Sequence, residues 1–285
     1  MTPPGDGSGE LFSDIGYAKI NLALHVRSRR DDGKHAIETL FAFAADGDRL
    51  TVAPSAALSL SIIGPFAGGL SCGPDNLVLR AAERLRQACG VRDGAHFTLD
   101  KRLPVASGIG GGSADAAAAL RLAARLWRQD IAAETLLELA GGLGADVPAC
   151  VASTACLGTG LGDHLEQVDS AGIAGLPAVL VNPLKPCPTG PVFAGWDGID
   201  GRALIAAEWQ SARNDLEAPA RALVPEIGAV LAALTAQPGV RLARMSGSGA
   251  TCFALFDDFS ARDVTEQALR LAHPDWWTLA THLRG

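Results

Sequence analysis

Basic charge is in short supply in this chain: 24 Lys and Arg face 31 Asp and Glu, for a formal net charge of −7 and a pI near 5.3. No basic surplus is present to neutralise a phosphate backbone, which argues against a general nucleic-acid binder. Long apolar runs are also missing. Hydrophobic residues make up 48% of the chain, yet no uninterrupted stretch reaches membrane-spanning length. The opening MTPPGDGSGELFS is polar and rich in glycine and proline, with neither a basic region nor a hydrophobic signal core. It is read as a loose leader over residues 1–13, and the whole as a cytoplasmic protein without membrane or nucleic-acid partners. The six cysteines, at 72, 89, 150, 156, 187 and 252, show no CxxC spacing and no histidine/cysteine metal pattern. They are expected to be reduced structural thiols. The sole tyrosine, Tyr17, falls in a strand candidate and reads as structural.

What the chain does have is a glycine-dense turn running into an alanine-rich helix: PVASGIGGGSADAAAAL at 104–120. Gly108, Gly110, Gly111 and Gly112 permit backbone angles and close approaches that a side chain would hinder. The helix that follows begins with unpaired N–H groups and the positive end of its dipole. An anion can be held there without a basic side chain. The pattern is neither GxGxxG nor GxxxxGK[ST], because no lysine follows the glycines. Spacing alone leaves two readings: a phosphate cradle, or a tight structural turn.

Length allows one large domain or two modest ones, and the order of elements predicts two α/β units. Strands are expected at 17–26, 37–44, 49–53, 57–63 and 95–99, then at 178–181, 240–245 and 251–256. Helices are expected at 76–88, 113–127, 132–140, 201–210, 219–235 and 260–271, with 158–175 as a transition. In the first strand, alternation puts Lys19, Asn21 and Ala23 on one face and Ile20, Leu22 and Leu24 on the other. Asn76 is placed to cap a helix, and Asp115 to favour the positive start of another.

Several segments in order carry a resemblance: AKINLAL at 18–24, DGKHAIET at 32–39, DNL at 75–77, the glycine loop, GADVPAC at 144–150, PTGPVF at 188–193, NDLE at 214–217 and SGSGATCF at 246–253. Together they resemble the galactokinase, homoserine kinase, mevalonate kinase and phosphomevalonate kinase superfamily, and within it the family of 4-diphosphocytidyl-2-C-methyl-D-erythritol kinases. The resemblance implies an α+β two-domain small-molecule kinase fold, with a ribosomal-protein-S5-like N-terminal domain and a ferredoxin-like C-terminal domain. An ATP-binding domain at 14–160 and a substrate-side domain at 161–285 follow. So does ATP-dependent phosphorylation of a small cytidyl diphosphate, with Mg²⁺ accompanying the nucleotide and a monomer or weak homodimer as the working form.

The resemblance also implies roles. Asp146 accepts or orients the substrate hydroxyl proton, and Lys19 activates that hydroxyl and offsets developing phosphate charge. The nucleotide is bordered by Asn76 and Leu77 and surrounded by Pro104, Val105, Ala106, Ser107, Gly108, Ile109, Gly110, Gly111, Gly112, Ser113 and Ala114. The cytidyl side falls to Asn21, His35 and Phe193, with Gly247 and Gly249 near the substrate diphosphate. No protein ligand for the metal is assigned. One departure stands out: the family commonly has tyrosine before this histidine, whereas the chain has Lys34, which removes an aromatic platform for the base.

Overall fold

The computed structural model describes residues 11–285; the first ten residues of the expected leader lie outside them. Phe12 and Ser13, also placed in that leader, already belong to a strand. This strand, β1 (Phe12–Arg29), pairs antiparallel with β2 (His35–Ser55), so the two strands expected at 37–44 and 49–53 are one. Continuity through Asp48 is possible because its buried carboxylate is satisfied: Lys101 Nζ donates to one oxygen, and the N–H groups of Arg102 and Leu103 to the other.

The first sheet adds β3 (Ser59–Ile63), β4 (Gly94–Asp100), β5 (Cys156–Thr159) and β6 (His164–Gln167) around β2. The 158–175 transition thus contains the end of β5 and all of β6, and the 160/161 boundary falls inside their hairpin. Helices α1 (Leu77–Ala88), α2 (Gly111–Leu126), α3 (Ala133–Gly141) and α4 (Val147–Ala152) build the core beside Phe41, Phe43, Phe97 and Leu99. Ala116, Ala117, Ala118 and Ala119 of α2 are all fully buried. Their small side chains favour the helix and let it lie close against sheet and neighbours.

The second sheet is antiparallel, in the order β10 (Trp277–His282), β7 (Pro177–Asn182), β9 (Cys252–Phe256), β8 (Val240–Met245). Every residue of β7 and β9 is buried, because this sheet is covered on both faces. Ala178, Leu180, Phe253 and Leu255 pack toward Ala18, Ile20, Leu22, Leu40 and Ala42 of the long hairpin. The alternate residues Val179, Val181, Ala254 and Phe256 pack with the helical layer. That layer includes α5 (Thr189–Ala194), α6 (Glu217–Leu223), α7 (Glu226–Thr235) and α8 (Phe259–Ala272).

The expected two-domain α+β architecture is present, with local corrections. The helix expected at 219–235 is two helices: Pro225 has no N–H to donate and pushes Val224 out of helical angles, to φ −132° and ψ 84°. The helix expected at 201–210 is reduced to a 3₁₀ segment at Ala206–Ser211. Strand β10 and the short helices α4 and α5 had no sequence counterpart.

Candidate active site

The cleft begins with an irregularity in β1. Its register against β2 shifts between Asn21 and Ala23, a bulge that breaks the alternation. Ala23 therefore joins Ile20 and Leu22 in the core between the sheets, and Leu24 lines the cleft with Lys19 and Asn21. The expected grouping of Ala23 with Lys19 and Asn21 is corrected accordingly.

Lys19 is almost fully buried, yet its charge is met from several sides. Nζ donates to Asn21 Oδ1 at 3.0 Å, lies 3.3 Å from Asp146 Oδ2, and sits 4.6 Å from the centroid of the Phe41 ring. The Asn21 amide is oriented by its surroundings: Nδ2 donates to Thr39 Oγ1 at 2.7 Å, whose own proton goes to the Ala23 carbonyl at 2.7 Å. With Thr39 committed as donor there, Oδ1 of Asn21 is left for the lysine. Asp146 stands at the N-cap of α4, but its side chain makes no capping bond and remains 40% exposed. The carboxylate is thus open to the cleft rather than spent on its own helix.

The glycine loop faces this pair. Gly108 has φ +79° and Gly110 has φ +64°, both in the region that disfavours a side chain. A Cβ on Gly110 would lie 2.9 Å from Lys19 Cε, and one on Gly108 would lie 2.6 Å from the Ser246 carbonyl oxygen. Close packing extends to the second glycine turn: Ser246 Oγ accepts from Asn21 N–H and donates to the Gly108 carbonyl, each at 3.1 Å. Lys19 N–H donates to Ile109 O at 2.9 Å, and Thr251 N–H to Ser107 O at 3.1 Å. The first bond of α2 runs from Ala114 N–H to Gly110 O at 2.9 Å. The N–H groups of Gly111, Gly112 and Ser113 precede it, at the positive end of the helix.

Lys19, Asn21, Leu77, Ala106, Ser107, Gly108, Gly110, Gly111, Gly112, Ser113, Asp146, Phe193 and Gly247 all line one cleft of about 460 Å³. Other expected residues support it from outside. Asn76 caps α1, accepting from Val78 N–H at 2.9 Å, and Pro104 O accepts from Ser107 Oγ at 2.6 Å. Ile109 and Ala114 are buried in the cores, while Val105 is half exposed away from the lining. Gly249 lies behind the cleft, where a Cβ would meet Met245 Sδ at 2.8 Å. Residues not singled out in the sequence complete the lining, among them Thr189 and Ser248, whose hydroxyls are 3.0 Å apart. Both lie within quoted motifs, so the signal was there; which side chains turned inward was not.

A second cavity, of about 640 Å³, shares Ile37, Ala145, Leu161 and Phe193 with the first. It is lined further by His35, Lys34, Arg29 and Arg30. The His35 and Phe193 rings lie 5.1 Å apart. Burial and then Arg29 hold the His35 pKa below its usual value, so the imidazole is neutral near pH 7.

Asp115 does not face the cleft. It is buried against Lys101, whose Nζ reaches Asp115 Oδ2 at 2.7 Å and Asp48 Oδ2 at 2.5 Å. Among the described residues no three His, Cys, Asp or Glu side chains are grouped to hold a metal ion, and Asp146 is the only carboxylate lining the cleft.

Residues 76–154 match the family described as GHMP kinases N terminal domain, and residues 200–274 that described as GHMP kinases C terminal. The 4-diphosphocytidyl-2-C-methyl-D-erythritol kinase of Rhizorhabdus wittichii is 54% identical over 280 residues, spanning 95% of this chain and 94% of its own. The kinase of the same name from Novosphingobium aromaticivorans is 50% identical over 285 residues, spanning 99% and 96%. A crystal structure of 4-(cytidine 5'-diphospho)-2C-methyl-D-erythritol kinase superposes with a TM-score of 0.82 at 33% identity, over 96% of this chain and 100% of that one.

Proposed function

The chain belongs to the 4-diphosphocytidyl-2-C-methyl-D-erythritol kinase family of the GHMP kinases, and on that premise we propose that it transfers the γ-phosphoryl group of ATP to the 2-hydroxyl of 4-diphosphocytidyl-2-C-methyl-D-erythritol, releasing the 2-phosphate product and ADP. The observation that carries this reading is the Lys19–Asp146 pair, 3.3 Å apart, facing the glycine loop in a cleft that continues into the His35 and Phe193 cavity. Phosphoryl transfer needs an oriented oxygen nucleophile and compensation for charge on the phosphoryl oxygens. Asp146 orients the hydroxyl and takes its proton as the new O–P bond forms. Lys19 steadies the oxygen and the transferring group, while the bond to the ADP oxygen breaks.

The backbone from Gly108 to Ser113 holds the nucleotide phosphates, with Leu77 and the Asn76 cap bordering the adenine. Asn21, Phe193 and Gly247 serve the cytidyl substrate, with His35 reading the base. Mg²⁺ would accompany ATP and would supply charge neutralisation at the phosphates. Asp146 is the carboxylate placed to meet it. The enzyme acts in the cytoplasm, as a monomer or weak homodimer. The test offers purified protein ATP, Mg²⁺ and a panel of the cytidyl intermediate, mevalonate, homoserine and galactose. Phosphorylation of the cytidyl compound alone is expected; preference for another acceptor rejects the assignment.

A further inference from the structure

Three arginines meet at the end of α2 remote from the glycine loop. Arg121 and Arg125 of that helix and Arg284, beyond β10, line a pocket of about 350 Å³ whose one carboxylate, among the described residues, is Asp14. Arg125 stands in the last turn of α2, about 20 Å along the helix from Gly111 by its rise per residue. Three guanidiniums against one carboxylate leave a local surplus of positive charge on a chain whose net charge is −7.

Arg121 is committed to the fold. Its Nε donates to Asp14 Oδ2 at 2.7 Å, its Nη1 to the carbonyls of Cys150 at 3.1 Å and Val151 at 3.4 Å, and its Nη2 to that of Ile15 at 3.0 Å. The other oxygen of Asp14 accepts from Ile15 N–H at 2.7 Å, so this carboxylate is answered on both sides. The same arginine also covers carbonyls at the C-terminal end of α4, where the negative end of the helix would otherwise repel an anion.

Arg125 and Arg284 are held differently. Arg125 lies over the Phe12 ring, with Cζ 4.2 Å from the centroid, and its guanidinium has no carboxylate or carbonyl partner among the described residues. Arg284 lies over Tyr17, with Cζ 3.6 Å from the centroid, and its guanidinium donates only through Nε, to Ser153 O at 3.2 Å. A guanidinium laid on a ring face keeps its place while the N–H groups at its edge stay available. The dipole of α2 accounts for a cation at Arg125, and Ser153 for one donor of Arg284. Neither accounts for two unspent forks lining one pocket.

We propose that this pocket is a second anion site, which takes a phosphate or diphosphate group between the guanidiniums of Arg125 and Arg284. Such forks match phosphoryl oxygens in geometry as well as in charge. The site differs in kind from the glycine loop, where backbone N–H groups face the cleft; here side chains supply the donors.

The test titrates inorganic pyrophosphate into the nitrogen-15-labelled full chain at low salt and follows amide NMR shifts. Saturable shifts are expected at Ser13, Tyr17, Ser153 and Arg284, which line the pocket, and are read separately from those of Gly111 and Gly112 in the cleft. Arg125→Gln and Arg284→Gln should each weaken binding at the pocket about tenfold or more, the order a hydrogen bond to a charged group is worth, with the cleft shifts unchanged. Arg125→Lys, which keeps the charge but loses the fork, should fall between wild type and glutamine. Inorganic phosphate and ADP distinguish the source of the group: a pocket response to ADP after Gly111 and Gly112 have saturated assigns it to a nucleotide, and a response to the free ions alone assigns it to them. Shifts confined to the cleft, a drift that never saturates, or pocket affinity unchanged in the folded glutamine variants would each overturn the proposal. If Arg284→Gln does not fold, because Ser153 O loses its donor, Arg125→Gln at its exposed position decides.

Discussion

A buried lysine shared between an amide oxygen and a half-exposed carboxylate is arranged to act on something outside itself. Lys19 has its amide partner fixed by Thr39, while Asp146 remains open to the cleft. Asp146→Asn keeps the size and removes the charge, so fold and ATP affinity should persist while turnover falls about 10²–10⁴-fold, the usual worth of a positioned proton acceptor. Lys19→Met should separate folding from chemistry in the same way. Steady-state kinetics beside ATP titration checks both, and near-wild-type turnover in either variant removes that residue from the mechanism. At this scale the sequence was informative where a motif names the residue, as with Lys19 in AKINLAL and Asp146 in GADVPAC. It was silent where pairing decides: the bulge that swaps Ala23 for Leu24 depends on the register of β2, which no local pattern encodes.

Among elements, the glycine loop and the start of α2 invite a substitution that separates packing from ligand binding. Gly110 and Gly111 are poor choices, since an added Cβ would lie 2.9 Å from Lys19 Cε in one case and 3.0 Å from Lys101 Nζ in the other. At Gly112 the nearest atom to a Cβ is Leu77 Cδ1, an ordinary contact at 3.7 Å, and the residue lines the cleft. Gly112→Ala should therefore hold or raise stability, by up to about 1 kcal/mol from helix propensity, while weakening ATP binding. Denaturation and ATP titration on one sample read both quantities; unchanged affinity would show that this face of the loop does not meet phosphate.

Beneath the same helix start, burial first, and then the neighbouring Asp48, push the Asp115 pKa up to about 8, against the pull of Lys101. In the unfolded chain that carboxyl has the ordinary low pKa, so between the carboxylate range and about pH 8 the folded state retains a proton that the unfolded state has lost. This contribution makes stability fall as pH rises through that window. Asp115→Asn should flatten the slope of urea midpoints between pH 5.5 and 8.5; an unaltered slope would mean that Asp115 is ionised throughout. The sequence reading set Asp115 at the positive start of a helix beginning at 113, but the helix starts at Gly111, no acidic residue lies in its first turn, and Asp115 is met by a lysine 14 residues earlier in the chain. Such pairings are products of topology. By contrast the glycine loop and the starts of α1, α3 and α8 were legible locally, whereas β10, with its WTLATH, became a strand because β7 offers it an edge.

Across the whole molecule, the long β1–β2 hairpin is common to both halves: one face joins the core between the sheets, while β2 also forms the spine of the first sheet. Its junction with the second half is held by a buried cation whose hydrogen bonds, among the described residues, go to backbone carbonyls. Arg244 of β8 donates through Nη1 to the carbonyls of Leu22 and Trp209, and through Nη2 to those of Gln210, at 3.0 Å, and Ala212, at 2.5 Å. Leu22 lies at the bulge that points Asn21 and Leu24 into the cleft, so this guanidinium braces the strand carrying Lys19 from the opposite domain. Burial pushes the Arg244 pKa down to about 10, which still leaves it charged at neutral pH. Arg244→Met preserves much of the aliphatic bulk but strands four carbonyls. The expected loss is about 2–4 kcal/mol of stability, from charge-assisted bonds removed and acceptors left unpaired. Because those carbonyls belong to β1 and to the segment before α6, the damage should reach the cleft: turnover of the folded variant should drop more than its ATP affinity, through loosened Lys19. Equilibrium denaturation with kinetics on the folded fraction tests this. A destabilised variant with wild-type turnover would confine Arg244 to holding the domains together, and a variant of unchanged stability would remove it from both tasks.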